Sequence, residues 1–333
     1  MPMHDVAPAM TQALPKILLT SAIHPHWHEV LARQTEVVVA PDSAPDTLAR
    51  LVQDADGLIV RNQLPPDVFA HAPRLRAVVR HGVGLDMIPV EAATARGIPV
   101  ANLPGANTSA VVEYALAAML HLRRGLAAMD SGLRQQGWAS ARARADHAGE
   151  LAGSVCGIVG LGAIGSRLAT VAQGLGMRVL GLTRRAHSLP AGVVPADRAT
   201  LFAQSDVVVL CCPLNEQTRG MVSAALLATM QPHACLINVA RGPVVDAEAI
   251  VHALRAGRLG GAALDVHAQQ PLTGHEPVFD CPNLLLTPHV AGVTAPSMRD
   301  MSRQAVQTLL ALLRSEQPGN VVNPQVFAAA SPN

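Results

Sequence analysis

The sequence predicts an α/β protein of two doubly wound domains, each a parallel sheet with helices on both faces. Short apolar runs alternate with helical segments along most of the chain, and that alternation needs the crossover connections of a parallel sheet. A length of 333 residues is long for one core and favours two. Between the apolar run Val155-Cys156-Gly157-Ile158-Val159 and a helix-like stretch lies Gly160-Leu161-Gly162-Ala163-Ile164-Gly165. This is G-x-G-x-x-G in the strand–turn–helix setting that gives it meaning.

In chain order, strands are expected at 16–20, 36–39, 57–60, 77–80 and 99–101, with helices at 25–33, 45–52, 66–70 and 89–96. Proline opens several of these helices, where its missing N–H removes no bond. Asn107-Thr108-Ser109 should cap a long helix over 110–124, and a polar, arginine-rich arm follows over 131–150. The second alternating series has strands at 155–159, 178–182, 207–211, 235–239, 262–265 and 284–287. A helix over 166–174 follows the glycine turn, and another over about 296–314 closes the chain.

The glycine turn predicts a dinucleotide site. Its glycines let the backbone turn and approach a pyrophosphate, while the first amides of the following helix are unpaired and favour negative charge. The second strand then follows at the spacing that brings its end to the adenosine ribose.

Bulk composition narrows the function. A net charge of +1 gives no electrostatic case for nucleic acid. Half the residues are hydrophobic and 15% charged, which suits a covered sheet. The five cysteines lack metal-type spacing and fall mostly in predicted buried strands, so a reducing, cytoplasmic setting is expected and no metal site. His24, His26 and His28 cluster on a predicted surface helix without a further partner. Residues 1–15 do not read as a signal peptide, and the apolar stretch 110–120 is too short to span a bilayer and contains Glu113.

Two residues past strand ends carry candidate chemistry. Arg241 follows a buried strand where open α/β sheets bind ligands, and its planar fork suits a carboxylate; holding Asp246 or a loop carbonyl is the plain alternative. His289 ends another strand in Thr287-Pro288-His289 and could protonate a carbonyl being reduced.

With these residues in place, the chain resembles the D-isomer-specific 2-hydroxyacid dehydrogenases. The resemblance runs through Arg80-His81-Gly82-Val83-Gly84-Leu85-Asp86, Arg96-Gly97-Ile98-Pro99-Val100 with Asn102, and Pro104-Gly105-Ala106-Asn107. It continues through the glycine turn, Pro213-Leu214 with Thr218-Arg219-Gly220, the stretch 238–246, Leu264-Asp265-Val266 and Thr287-Pro288-His289. The family plan implies a Rossmann cofactor domain over 107–295 inserted into a flavodoxin-like substrate domain. The latter is made of 1–106 and 296–333, with 1–14 as a tail and the active site between the domains. It implies NAD(P)H-dependent reduction of a small 2-keto acid to the D-2-hydroxy acid, and a homodimer through the cofactor domain in which Trp138 packs. By that resemblance Arg241 grips the substrate carboxylate and His289 supplies the proton. Backbone amides at His81, Gly82 and Val83 hold the carboxylate from the other side, and Asp265 orients the nicotinamide. Further cofactor contacts fall on Gly160, Gly162, Ala163, Ile164, Gly165, Thr183, Arg184, Arg185, Cys211, Cys212, Pro213, Thr218, Val239, Ala240, His289 and Gly292.

Two positions depart from the family pattern. Gln270 stands where the family has the glutamate that partners the catalytic histidine. It can accept a hydrogen bond from the imidazole but cannot stabilise imidazolium by charge, which would make His289 a stronger acid. Glu276, before Pro277, lies too close to His289 in sequence to be the equivalent. Leu182-Thr183-Arg184-Arg185 replaces the aspartate of NAD-specific members, a combination similar to NADPH-using glyoxylate/hydroxypyruvate reductases. NADP(H) is therefore the expected cofactor, with NAD(H) possible, and glyoxylate or hydroxypyruvate the expected substrate. The alternatives are a dinucleotide-sensing protein without turnover, and a dehydrogenase of another small acid such as formate or phosphite. Arg61 and Asn62 end a strand facing the cleft and could touch substrate or be structural.

Overall fold

The computed structural model describes residues 13–184 and 189–329. Contacts divide them into two units, one reaching to Ala106 and resuming at Met298, the other spanning Asn107–Ser297. The second is thus inserted into the first along the chain.

The first unit runs β1 (Lys16–Leu19), α1 (Pro25–Ala32), β2 (Glu36–Val39), α2 (Pro45–Leu51), β3 (Gly57–Val60), β4 (Ala77–Arg80), α3 (Val90–Ala95) and β5 (Val100–Ala101). Its strands pair in the order β2-β1-β3-β4-β5, all parallel, the flavodoxin-like order. Alternate residues feed opposite faces: Leu18, Leu58, Val60 and Val78 pack with Phe69 on one side. Ile17, Leu19, Ile59 and Val79 pack with Val306 and Leu309 on the other. The central strand β3 is buried throughout, as covering on both faces requires. The helix expected over 66–70 is instead a 3-10 turn, Val68–His71. Pro73 holds the preceding Ala72 outside the helical region at φ −116° and ψ 67°, so no α-helix propagates there.

The second unit runs α4 (Thr108–Arg124), α5 (Leu126–Gln136), α6 (Trp138–Arg144), β6 (Val155–Val159), α7 (Ala163–Gly174), β7 (Arg178–Leu182), β8 (Val193–Pro195), α8 (Arg198–Gln204), β9 (Val207–Leu210), α9 (Ala224–Leu227), β10 (Cys235–Asn238), α10 (Ala247–Arg255), β11 (Gly261–Leu264) and β12 (Leu284–Leu286). Two further helices follow, α11 (Ala295–Leu313) and α12 (Gln325–Ala329). The parallel sheet has the order β12-β11-β10-β9-β6-β7-β8. The order reverses between β6 and β9, the switch point at which a Rossmann sheet opens its ligand crevice. Three expectations change. The polar arm folds into α5 and α6, the helix after the glycine turn starts at Ala163 rather than Ser166, and the Asn107 side chain caps nothing. The aspartates Asp197 and Asp246 do cap, accepting from the amides of Thr200 and Ala249 at the starts of α8 and α10. No helix among the described residues is long and apolar enough to cross a membrane.

Candidate active site

In the second unit, many of the residues singled out from the sequence lie just past the carboxyl ends of strands of one sheet. Gly160 follows β6, Thr183 follows β7, Cys211 follows β9, Val239 follows β10, Asp265 follows β11 and Thr287 follows β12. Each glycine of the turn has its own cause. Gly160 sits at φ 93°, and a Cβ there would come within 2.8 Å of the Cys212 backbone. A Cβ on Gly165 would stand 2.0 Å from the Gly160 carbonyl oxygen, so α7 could not pack on β6. Gly162 has φ −81° and open space where a Cβ would be. Neither strain nor packing within the chain demands glycine at Gly162, which fits a backbone approached from outside by a phosphate. The first bond of α7 runs from the Ser166 amide to Gly162 O at 2.9 Å, leaving the amides of Ala163, Ile164 and Gly165 ahead of it. These features fit a dinucleotide pyrophosphate.

Past β7, Thr183 is half-buried and Arg184 exposed; Arg185 lies outside the described residues. Burial pushes the Cys212 thiol up to about 11 and the Cys211 thiol higher still, so neither is a nucleophile at neutral pH. The Thr218 hydroxyl donates to Pro213 O at 2.7 Å and accepts from the Asn215 amide at 2.8 Å, closing its own loop. At Gly292 a Cβ would stand 2.6 Å from Asn107 Nδ2, so the Asn107 side chain would have to move to admit one.

The turn after β10 is folded by Asn238, a fully buried residue to which the sequence reading assigned no role. Its Oδ1 accepts from the Ala240 amide and its Nδ2 donates to Arg241 O, each at 3.0 Å. Arg241 is half-buried and its Nη1 donates to Ala240 O at 2.7 Å. Gly242 then packs on the next segment, where a Cβ would stand 2.0 Å from the His267 carbonyl carbon. This close approach lays the Arg241 turn against the segment that carries Gln270.

His289 is held from several sides. Its amide donates to Asp265 O at 2.8 Å. The buried Asp265 carboxylate accepts from the Val290 amide at 2.7 Å, the Ala291 amide at 2.9 Å and Thr287 Oγ1 at 2.7 Å. Because Thr287 gives its proton to Asp265, the Tyr114 hydroxyl at 2.7 Å must donate to Thr287. Burial pushes that phenol above its ordinary value, which keeps the proton in place. Tyr114 had no signal in the sequence, because it reaches Thr287 from the face of α4. Clamped in this way, His289 adopts φ 58°, rare for a residue with a side chain. Its Nδ1 lies 3.1 Å from Gln270 Oε1, while Gln270 Nε2 donates to His267 O at 3.3 Å. An amide oxygen only accepts, so Nδ1 carries a hydrogen and Nε2 is the atom left to give or take a proton. Glu276 is engaged elsewhere: its carboxylate accepts from the amides of Thr273, Gly274 and His275, and such bonds, that from Thr273 foremost, hold it down to about 2 although desolvation pushes it up.

In the first unit, the turn after β4 is organised by Arg80, another role not read from the sequence. Its guanidinium donates to Val60 O at 3.0 Å, His81 O at 2.7 Å and Gly84 O at 3.1 Å. The amides expected to hold a carboxylate divide. That of His81 donates to Val60 O and that of Gly82 to Arg80 O, both at 2.9 Å, so these two are engaged inside the unit. The Val83 amide has no acceptor among the described residues. The His81 ring is buried with Nε2 2.8 Å from Ser302 Oγ. Arg61 donates to Ala22 O, and Asn62 to Thr20 O at 3.2 Å and Ser43 Oγ at 2.6 Å, so both have structural partners. Among the described residues no group of His, Cys, Asp or Glu is placed to hold a metal.

Residues 116–291 match the family model described as D-isomer specific 2-hydroxyacid dehydrogenase, NAD binding domain. Glyoxylate reductase of Pyrococcus furiosus is 35% identical, covering 96% of this chain and 98% of its own. That of Thermococcus gammatolerans is 34% identical with the same coverage, 96% and 98%. Among solved structures, NADPH-dependent glyoxylate/hydroxypyruvate reductase of Sinorhizobium meliloti in complex with NADP and malonate is 31% identical, with a TM-score of 0.84. That likeness covers 95% of this chain and 98% of that one.

Proposed function

The chain belongs to the D-isomer-specific 2-hydroxyacid dehydrogenases, and from that premise we propose that it reduces glyoxylate or hydroxypyruvate to the D-2-hydroxy acid with NADPH. It is an oxidoreductase of this family, and its cofactor is a nicotinamide dinucleotide. The observation that carries the reading is the 3.1 Å contact between His289 Nδ1 and Gln270 Oε1 beside the Arg241 turn. It fixes the ring so that Nε2 is the proton donor. A nicotinamide dinucleotide held at the glycine turn would supply hydride chemistry for the keto carbon. Arg241 holds the substrate carboxylate, His289 Nε2 protonates the developing alkoxide, and Gln270 keeps the imidazole in the productive tautomer. The Val83 amide is the remaining donor of its turn for the carboxylate.

Two observations support NADP(H). The position after β7 that holds an acidic residue in NAD-specific sheets is the uncharged Thr183, and Arg184 beside it is exposed. The Sinorhizobium meliloti enzyme is NADPH-dependent. A homodimer formed through the second unit fits the exposed Leu126, Leu133 and Trp138 of α5 and α6, and sedimentation velocity tests it. The decisive experiment measures oxidation of NADPH and NADH with a panel of 2-keto acids, alongside oxidation of formate and phosphite. Turnover of glyoxylate or hydroxypyruvate with NADPH supports the reading. Binding without turnover would make the protein a dinucleotide sensor, and turnover of formate or phosphite alone would replace the substrate class.

A further inference from the structure

The second unit holds a cavity of about 620 Å³ at the opposite end of its sheet from the catalytic loops. It is lined where β10, β11 and β12 begin, at Cys235, Gly260 and Leu284, whereas Arg241, Asp265 and His289 follow the ends of the same strands. The lining contains the ionisable bases His121, Arg123, His147 and His233 and no carboxylate.

Arg123 is the central observation. Its Nε is buried without a hydrogen-bond partner, and Nη2 reaches only Glu150 O at 3.5 Å, the edge of bonding distance. Gly149 allows the guanidinium to lie against the chain, since a Cβ there would stand 2.5 Å from Nη2. Asp206, whose charge Arg123 also feels, already accepts from the Val155 amide and contacts His233 Nε2, each at 2.7 Å. A largely unspent guanidinium beside a polar cavity leaves a net call for negative charge.

The backbone adds to it. Ala127 and Ala128 of the lining belong to the first turn of α5, whose first internal bond starts only at the Met129 amide. The amides before Met129 lie at the positive end of that helix. Two of the α4 carbonyls at the cavity are already taken up, His121 O by the Gly125 amide at 2.9 Å and Arg123 O by the Gly149 amide at 2.8 Å.

We propose that this cavity binds a phosphate-type anion, held by Arg123, His121, His147 and the first amides of α5, as a second site separate from the reaction. The volume exceeds what one phosphate group needs, so a small phosphate monoester should bind more tightly than inorganic phosphate. The test is calorimetric titration of inorganic phosphate, and of glycerol 3-phosphate, into the full chain saturated with the dinucleotide it uses. Saturation keeps the glycine turn and Arg184 occupied, and chloride at matched ionic strength is the control. Arg123→Gln should weaken binding of either anion at least roughly tenfold. His147→Gln, at an exposed side chain whose loss the fold tolerates, should weaken it about threefold. Heat no larger than that of chloride, or unchanged affinity in both variants, overturns the proposal. So does an altered sedimentation coefficient in Arg123→Gln with phosphate affinity intact, which would make the cavity a contact between copies.

Discussion

At the scale of single residues, the proposed chemistry turns on Gln270. A glutamine fixes the tautomer of His289 through one neutral hydrogen bond, and lends no charge to the protonated ring. Gln270→Glu should therefore extend keto acid reduction to higher pH, by about one unit in the basic limb of kcat/KM. Coincident limbs in the two proteins would show that the charge at this position does not tune the histidine. Cofactor choice is the second residue-scale question. Arg184→Asp should cost at least roughly tenfold in kcat/KM for NADPH while sparing NADH, because a carboxylate repels the 2′-phosphate and accepts from ribose hydroxyls. Gln270 and Arg184 were both legible in the sequence, because each departs from the pattern of the family the chain resembles. Tyr114, Asn238 and Arg80 were not. Their roles are hydrogen bonds to loops that no local pattern announces, and for Tyr114 the partner is 173 residues away.

At the scale of elements, two constructions position the site. The loop after β12 hangs from one carboxylate, with both oxygens of Asp265 receiving bonds from it. Asp265→Asn would turn an NH2 group towards a backbone donor. It should lower kcat with little change in dinucleotide affinity and lower stability by about 1–3 kcal/mol in urea titrations. The glycine turn is the other construction. Gly165→Ala forces a methyl group against Gly160 O and should destabilise by about 1–3 kcal/mol while weakening dinucleotide binding, read by fluorescence titration. Strands were well foreseen at this scale because buried parallel strands are short runs of Val, Ile and Leu. Among the missed elements are β8, α8, α9, α10 and α12; at α8 and α10 the caps Asp197 and Asp246 set the start of the helix.

At the scale of the whole molecule, the first unit joins both ends of the chain, and His81 is one of the joints. Its ring meets Ser302, 221 residues away, and burial with the charges of Arg61 and Arg80 pushes it down to about 3. The unfolded chain therefore binds the proton that the folded one refuses. The stability this confers is complete above about pH 6.5 and is lost as the pH falls from there towards about 3. Between about pH 7 and about pH 5 the wild type should lose about 2 kcal/mol through this group, and His81→Gln, which can still bond Ser302, should lose less over the same range. Equal slopes in urea titrations at the two pH values would remove His81 from the account. By itself the sequence determined the two α/β sheets and the glycine turn, and its family resemblance singled out Arg241, His289 and Gln270 as candidates. Strand composition and residue offsets are local properties that survive in a linear string. Only the tertiary structure decided which amides remain to meet a substrate, that Gln270 reaches the His289 ring, and that Asp265 and Tyr114 hold the loop. Those outcomes depend on distances of about 3 Å between residues far apart in the chain, and hydrogen bonds of that length are settled by packing.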